Sequence, residues 1–335
     1  MTRAGRIAAT AALAPVAALA DTPLQYLHTA GPAADPVTQL GWGLAIISGI
    51  VLAGVCIALL LGLARRRPAL TEARALAVAS DAGGLSWIYV GVTLTAITLA
   101  ACAAWTVLTL RATAMPAPAA KLTLEVTAAQ WWWRVRYRDA DVPGVFTTAN
   151  ELHIPVGRPV RIELTSEDVI HSFWIPQLAG KIDAIPGRTN ILWLQADRPG
   201  TYRGQCGEFC GAEHARMAMV VVADTPDDYA AWRAREVKAA PEAQGKVQVG
   251  EAVFTSHCGA CHTVRGTRAG GILGPDLTHL MARGTIAAGI LPNTPGNRAA
   301  WIADPQRIKP GSRMPSPRLS SEELQAVLAY VQTLD

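Results

Sequence analysis

Two cysteines, a histidine and a methionine are packed into the twelve-residue stretch CGEFCGAEHARM, residues 206–217. Cys206 and Cys210 are four residues apart, His214 follows four residues later, and Met217 comes three residues after that. A compact loop with this spacing brings all four side chains to one point. Thiolate, imidazole and thioether groups together favour copper over hard cations, so the stretch predicts a soft-metal site.

A second histidine, His171, lies near the end of a strand-like run upstream of this loop. The five side chains exceed the ligand set of a single blue-copper ion. Two bridging thiolates could instead hold two copper ions, with His171 and His214 as terminal ligands and Met217 as a weak further ligand. A structural zinc site and a disulfide between the cysteines are alternatives, although zinc leaves Met217 without a role. Met219 offers another thioether but is predicted to face the core.

The other close cysteine pair, Cys258 and Cys261, is followed directly by His262. This C-x-x-C-H pattern is typical of covalent c-type haem attachment. Met314, in a Pro/Gly loop 52 residues after His262, is the predicted second axial ligand; methionine opposite histidine raises the iron potential and suits electron transfer. A redox-active cysteine pair or a zinc site is the alternative, and Met281 is a second-choice axial ligand. No metal binding is predicted for the remaining histidines, which are His28, His153, His257 and His279. Of these, His28 and His153 are predicted to be solvent-exposed.

The first part of the chain carries the signals of export and membrane insertion. Residues 1–20 combine a basic start with an Ala/Leu-rich run and predict a signal peptide, with an uncleaved amphipathic start as the alternative. The uncharged runs 42–64 and 85–110 exceed the ~20 residues that a membrane-spanning helix needs. The arginines at 65–67 place the loop between them in the cytoplasm and everything after Arg111 outside. A buried helical hairpin is the alternative.

The exported part has to position both sites. From residue 121 short alternating runs predict a β-sandwich or barrel. A helix is predicted from Thr225 towards Val237, and the segment after it is predicted to be a flexible connection. Residues 247–335 show helical patterns but no strand pattern. The predicted boundaries are a signal peptide at 1–20, a periplasmic segment at 21–39, membrane helices at 40–64 and 85–110 around a loop at 65–84, linkers at 111–120 and 237–246, and exported domains at 121–236 and 247–335.

Residues 21–236 resemble subunit II of the haem–copper cytochrome c oxidases, through His171 and the motif C-x-E-x-C-x3-H-x2-M. Residues from 247 onward resemble a small class I cytochrome c domain. The whole resembles the fused subunit II of caa-type oxidases. The resemblance implies a multidomain membrane protein with a two-helix transmembrane hairpin, a cupredoxin-like β-sandwich and an all-α class I cytochrome c domain.

The resemblance also implies roles for single residues. The loop would build the dicopper centre called CuA, where Glu208 gives its backbone carbonyl to copper and its side chain to a magnesium ion shared with subunit I. Trp131, the first residue of a WWW run, would mediate electron entry; packing at an interface is the alternative. Asp183 and Arg188 would contact subunit I, or else form an ordinary salt bridge in a turn. Pro275 would supply the carbonyl that orients the haem-ligating histidine.

The implied function is electron transfer from a periplasmic donor through haem c and CuA to subunit I, which reduces dioxygen and pumps protons. The implied partners are subunits I and III, a periplasmic cytochrome c or quinol:cytochrome c reductase, and the inner-membrane bilayer. The formal net charge of +4 gives no indication of nucleic-acid binding. The tethered haem domain is expected to dock transiently over Trp131.

One departure from the family concerns proton uptake. Many members carry a glutamate three residues before a tryptophan in the second membrane helix, and relative to Trp87 that position is Gly84 here. Asp81 is a weak substitute. This departure keeps a CuA-type nitric oxide reductase subunit as an alternative function. An alternative of another class is a zinc-binding, haem-storing membrane anchor.

Overall fold

The computed structural model describes residues 24–65, 83–114, 120–139 and 144–335. The predicted signal peptide, residues 66–82 of the predicted loop including Asp81, and residues 115–119 of the linker at 111–120 lie outside the described residues. Two long helices come first, α1 (Asp35–Ala64) and α2 (Gly83–Ala114). Both are long and apolar enough to cross a membrane, and they are not buried in the protein. They touch where the Trp105 ring lies against Gly43, at which a Cβ atom would come within 2.2 Å of that ring.

The segment before α1 is fastened to the first exported domain. The amide of Ala30 donates to the carbonyl of Gln177, and the amide of Asp197 donates to that of Ala30. Gly31 lies so close to the backbone that a Cβ atom would stand 1.9 Å from the carbonyl oxygen of Gln195. Only glycine fits such an approach, so the first helix leaves the domain from a fixed point.

The first exported domain is a β-sandwich of two sheets. The larger sheet has the strand order β3-β2-β1-β5-β8, and the smaller has the order β4-β10-β9. Within these sheets β1 runs parallel to β5 and β4 parallel to β10, while the other pairs are antiparallel. The strands of the sandwich are β1 (Leu122–Ala129), β2 (Trp132–Asp139), β3 (Phe146–Ala149), β4 (Glu151–Pro155), β5 (Val160–Ser166), β8 (Asn190–Leu194), β9 (Gly200–Gln205) and β10 (Ala218–Asp224). A separate hairpin pairs β6 (His171–Phe173) with β7 (Ile182–Ala184).

The alternation of buried residues along the strands explains the core. In β1 and β5 every second side chain is buried, as a two-residue period requires. The WWW run obeys the same rule, since Trp133 is fully buried and Trp132 is only partly buried beneath the guanidinium of Arg134. Helix α3 (Pro226–Glu236) then packs Trp232 against the Phe146 ring and the His153 imidazole. The hydroxyl of Thr225 caps this helix by accepting from the Asp228 amide, as its sequence predicts.

The last domain is helical. Its helices are α4 (Val247–His257), α5 (Pro295–Ala303), α6 (Pro305–Ile308) and α7 (Ser321–Val331). Helices α4 and α7 cross at Gly250, where a Cβ atom would lie 2.1 Å from the carbonyl oxygen of Ala326, and the Phe254 and Tyr330 rings meet beside this crossing. A two-residue pair, β11 (Thr285–Ile286) with β12 (Leu291–Pro292), is a small addition to the predicted all-α pattern.

The connection between the two exported domains differs from the expected flexible linker. The amide of Ala240 donates to the carbonyl of Arg265, and Ala243 is buried in the core of the helical domain. An alanine-rich segment has small apolar side chains that can cover a hydrophobic surface, which composition alone does not reveal. The linker is therefore packed against the helical domain along part of its length.

Candidate metal and haem sites

The soft ligands of the loop converge in the structure. The two thiol sulfurs of Cys206 and Cys210 are 3.7 Å apart. The Nδ1 atom of His171 is 3.9 Å from the Cys206 sulfur, and that of His214 is 3.6 Å from the Cys210 sulfur. The Met217 sulfur is 3.8 Å from the Cys210 sulfur. One histidine thus stands beside each thiol, as the two-copper hypothesis requires.

The backbone holds this loop between two strands. The loop starts after β9 and ends in a short 3₁₀ turn, His214–Arg216, that leads into β10. The amide of Cys206 donates to the carbonyl of Met217, which closes the loop at its base. The amide of Gly207 donates to the carbonyl of Ser172 in β6 and so joins the loop to the strand of His171. Residues far apart in sequence therefore meet on one rigid support.

The electrostatic environment of the two cysteines favours a thiolate, which is the form that binds metal cations. The hydrogen bond with the Cys210 thiol lowers the pKa of Cys206 to about 3 and raises the pKa of Cys210, so that the pair shares one proton. Burial opposes protonation of His171, but hydrogen bonds to Cys206 and Asp168 outweigh it and raise the pKa of that imidazole. Asp168 lies 2.8 Å from the Nε2 atom of His171 and fixes the ring with Nδ1 towards the sulfurs. The donor set fits soft metal ions.

Glu208 contributes two different groups. Its backbone oxygen is 3.2 Å from the Cys206 sulfur, which places it among the candidate ligands. Its carboxylate is partly solvent-exposed and lies 3.8 Å from the Nζ atom of Lys181. The same ammonium group donates to the carbonyl of Gly207. The carboxylate thus points away from the sulfur cluster.

Trp131 is bonded directly to the loop. Its indole Nε1 donates to the carbonyl oxygen of Cys210 over 3.0 Å, and the side-chain amide of Gln130 donates to the same oxygen over 2.8 Å. The indole is only 8% exposed. Gly311 of the helical domain lies over the far side of the ring, where a Cβ atom would stand 3.6 Å from it. Trp131 therefore lies between the loop of residues 206–217, here called the copper-type loop, and the helical domain.

The haem-type motif lies just after α4. The Nδ1 atom of His262 is 2.8 Å from the carbonyl oxygen of Pro275, which leaves Nε2 available to bind iron. Gly274 lies against the imidazole, where a Cβ atom would come within 2.7 Å of the ring. Burial raises the pKa of Cys258 to about 11, in contrast to Cys206.

Met314 lies in the loop after α6 and is partly buried. The side-chain amide of Gln306 donates to the carbonyls of Met314 and Ser312, which fixes this loop. Met281 lies in a short 3₁₀ turn, and its amide donates to the carbonyl of Leu334 at the end of the chain. The choice of Met314 as axial ligand stays a prediction.

Several other residues lie differently from what the sequence suggests. His153 is not the solvent-exposed residue predicted, because its imidazole is bonded to Asp224 and stacked on the Trp232 ring. His28 is exposed as predicted. Among the described residues no ion pair joins Asp183 to Arg188, so the salt-bridge alternative is absent; Asp183 instead accepts from Asn190 through its carbonyl.

Two important residues were missed. Asp168 orients His171, and the D-x-x-H spacing is the sequence signal that could have found it. Lys309 reaches into the sandwich from the helical domain, and its Nζ atom lies 2.6 Å from the carbonyl oxygen of Trp131. The two residues are 178 positions apart, and no local pattern links them.

Comparisons with known proteins agree with this arrangement of two sites. The family model for the periplasmic domain of cytochrome c oxidase subunit II matches residues 140–224, and the cytochrome c family matches residues 247–335. The chain therefore contains a region similar to the periplasmic domain of cytochrome c oxidase subunit II, followed by a region similar to cytochrome c. Residues 140–224 form most of a cupredoxin-like β-sandwich, and residues 247–335 form the helical domain. The first match implies copper and the second implies haem.

Relatives of the family show how far the likeness extends. Cytochrome c oxidase subunit 2 of Alkalihalophilus pseudofirmus is 41% identical over 214 residues, which cover 63% of this chain and 60% of the relative. That of Bacillus sp. (strain PS3) is 31% identical over 226 residues, covering 64% and 62%. The chain spans about 60% of the length of these curated relatives. The crystal structure of the periplasmic domain of subunit II of cytochrome oxidase from Bradyrhizobium japonicum has 35% identity over 36% of this chain and 95% of its own, with a TM-score of 0.33.

Proposed function

We propose that the chain is the electron-transfer subunit of a terminal oxidase, passing electrons from a periplasmic donor through haem c and a dicopper centre to subunit I, where dioxygen is reduced and protons are pumped. The observation that carries this proposal is the position of Trp131. Its indole is bonded to the copper-type loop on one side and covered by the haem-type domain on the other. One side chain thus lies between both sites.

The residues that would hold the metal ions are those that converge around the two thiols. The two cysteine thiolates would hold copper, and the bound metal would supply one-electron transfer. Burial of His171 and Met217 excludes water from the ligands, and Asp168 holds the imidazole in place. The candidate ligands are His171, Cys206, the carbonyl of Glu208, Cys210, His214 and Met217.

The haem group would be held by two thioether bonds and two axial ligands. Cys258 and Cys261 would form the thioether bonds, and His262, through Nε2, and Met314 would bind the iron. The bond from His262 to Pro275 keeps the ring oriented. The exposed Glu208 carboxylate is our candidate for a magnesium ion shared with subunit I.

The membrane arrangement follows from the same family. The two exposed apolar helices would span the inner membrane, with both metal-bearing domains on the periplasmic side. Subunits I and III are the proposed partners, and a periplasmic cytochrome c or quinol:cytochrome c reductase is the proposed donor. Trp87 is highly exposed on α2 and available for contact with lipid or another subunit.

The test is to purify the complex that contains this chain and measure its metals and its substrate. We expect two copper ions and one haem c per chain, near-infrared absorption from the copper pair, and consumption of dioxygen. Consumption of nitric oxide in place of dioxygen would favour the reductase alternative that Gly84 keeps open. One zinc ion and no copper would contradict the proposal.

A further inference from the structure

Lys309 is a lysine of the cytochrome domain that is almost entirely buried, with 3% of its surface exposed. Its Nζ atom lies 2.6 Å from the carbonyl oxygen of Trp131, 2.8 Å from that of Arg216 and 3.3 Å from that of Ala287. The first two oxygens belong to the sandwich, and the third belongs to the cytochrome domain. A lysine ammonium group has three N–H donors, and three acceptors meet it here.

The surroundings of the Lys309 amine indicate that it fixes the relative position of the two domains. Burial lowers the pKa of Lys309 to about 7, because the charge loses its hydration. The acceptors are neutral carbonyl groups. Burying an amine in this way is costly, and buried polar groups of this kind select one arrangement more than they raise affinity. The three oxygens come from three separate segments, so the bonds form together in only one relative position.

Further contacts surround Lys309 on the same face. The Arg216 guanidinium donates to the carbonyl of Ile308, and the Arg134 guanidinium donates to that of Ile272. Arg313 pairs with Asp168 over 3.0 Å. Ile272 follows the glycine segment that packs against Cys261, while Arg313 precedes Met314. The face that contacts the sandwich is therefore bounded by segments from both sides of the predicted haem site.

We propose that Lys309 is a positioning residue for internal electron transfer: it ties the loop that carries Met314 to Trp131 and to the copper-type loop, and so holds the two domains in one docked arrangement. This inference rests on the proposed function. The Lys309 contact would hold the helical domain in one position, whereas a domain held only by its tether would sample many positions. Small displacements between reacting groups reduce rates strongly, so a contact that selects one position raises the internal rate.

The test compares Lys309→Met with Lys246→Met in the full-length chain within its complex. Methionine matches the length of lysine but supplies no donor, and it leaves three interface carbonyls without the ammonium group. Lys246 is an exposed lysine at the N-terminal cap of α4, where the linker joins the helical domain, so its replacement makes the same change in net charge. The first readout is hydrogen exchange at two amides bonded across the interface, Ala218 to the carbonyl of Ala288 and Gly284 to the carboxylate of Glu151.

We expect Lys309→Met to speed exchange at these two amides by roughly tenfold or more, since a hydrogen bond to a charged group is worth that factor. The amide of Val220, bonded within the sandwich, serves as the internal reference. Flash-induced transfer from haem to copper should slow by a similar factor, with the haem and near-infrared copper spectra unchanged. Lys246→Met should leave exchange and transfer at wild-type values.

A second variant, in the sandwich, tests the same contact independently in case Lys309→Met does not fold. Arg134→Gln removes the donor to Ile272 and should act in the same direction with a smaller effect. Unchanged exchange and unchanged internal transfer in Lys309→Met would overturn the positioning role. Absence of copper or haem signals from the wild-type complex would overturn the proposed function itself, and this inference with it.

Discussion

At the scale of single residues, the cysteine pair of the loop is the most direct test of the copper site. We expect Cys206→Ser and Cys210→Ser to abolish the near-infrared copper absorption and leave the haem spectrum intact, because a hydroxyl group cannot bridge two copper ions as a thiolate does. The two domains have separate cores, so loss of one site should spare the other. Absorption spectra and metal analysis of both variants provide the measurement. A two-copper signal that survives in both would exclude the bridging arrangement.

Met314 is tested by its effect on the haem potential. Met314→Ala should leave the haem covalently attached and lower its reduction potential, because the thioether ligand that raises the potential is lost. Redox titration and the ligand-field band at the red end of the spectrum report this change. Met281→Ala is the matched control, since that methionine lies in a different turn. A potential that falls only in the control would move the axial ligand to Met281.

His153 should make the stability of the sandwich depend on pH. Burial opposes protonation, but hydrogen bonds to Asp224 and Glu151 raise the pKa of His153 above its ordinary value. The stabilisation is therefore fully present below about pH 6.5, the unfolded value, and is lost as pH rises through the higher folded value. His153→Gln should flatten this decline in melting temperature, whereas His28→Gln, at an exposed position, should not. Identical pH profiles for both variants would contradict the assignment.

At the scale of elements, the crossing of α4 and α7 depends on one missing side chain. Gly250→Ala places a Cβ atom 2.1 Å from the Ala326 carbonyl oxygen, so the helices must separate. We expect a loss of about 1–3 kcal/mol of unfolding free energy in the cytochrome domain, as for other overpacked cores. Gly296→Ala in α5 is the control, because nothing lies within 4 Å of a Cβ atom there and alanine favours helix. Chemical denaturation of both variants measures the difference.

The elements also show what the sequence can and cannot predict. The cap at Thr225 depends on a short spacing, and the bond from His262 to Pro275 was implied by the family resemblance; the structure has both. The environment of His153 was predicted wrongly because its partners include Asp224, which is 71 residues away. The packed linker was missed because a run of alanine and glutamate fits a free tether and a surface cover equally well.

At the scale of the whole molecule, the contact between domains predicts how salt affects the two electron-transfer steps. Lys309 donates to neutral carbonyls at a buried position, and an ion pair between the domains, Arg313 with Asp168, involves an arginine side chain that is 60% exposed. Salt screens exposed charges much more than buried groups. Internal transfer should therefore change little between low and high ionic strength, while reduction by an external donor should change strongly. Flash-induced kinetics at both ionic strengths test this, and parallel slowing of both steps would contradict it.

The relative position of the domains could not be derived from the sequence. Each motif predicts its own site, since the residues of each lie within about fifty positions or share one sheet. The bond from Lys309 to Trp131 joins residues 178 positions apart in different domains. Transient docking was expected of the tethered domain, because no pattern in the sequence links Lys309 to the backbone carbonyls that it meets.

The cover over Trp131 has a consequence for which carriers can use the chain. With its indole under Gly311 and its carbonyl held by Lys309, the tryptophan offers almost no surface to a protein arriving from solution. On the proposed function, we expect soluble carriers to be excluded from the copper-type loop and to reduce the chain through the haem of the attached domain. The attached domain would then both shield the copper-type loop from soluble carriers and pass electrons to it. A chain cut after Glu236 should lose this selectivity and accept electrons from small basic or acidic cytochromes that the intact chain rejects.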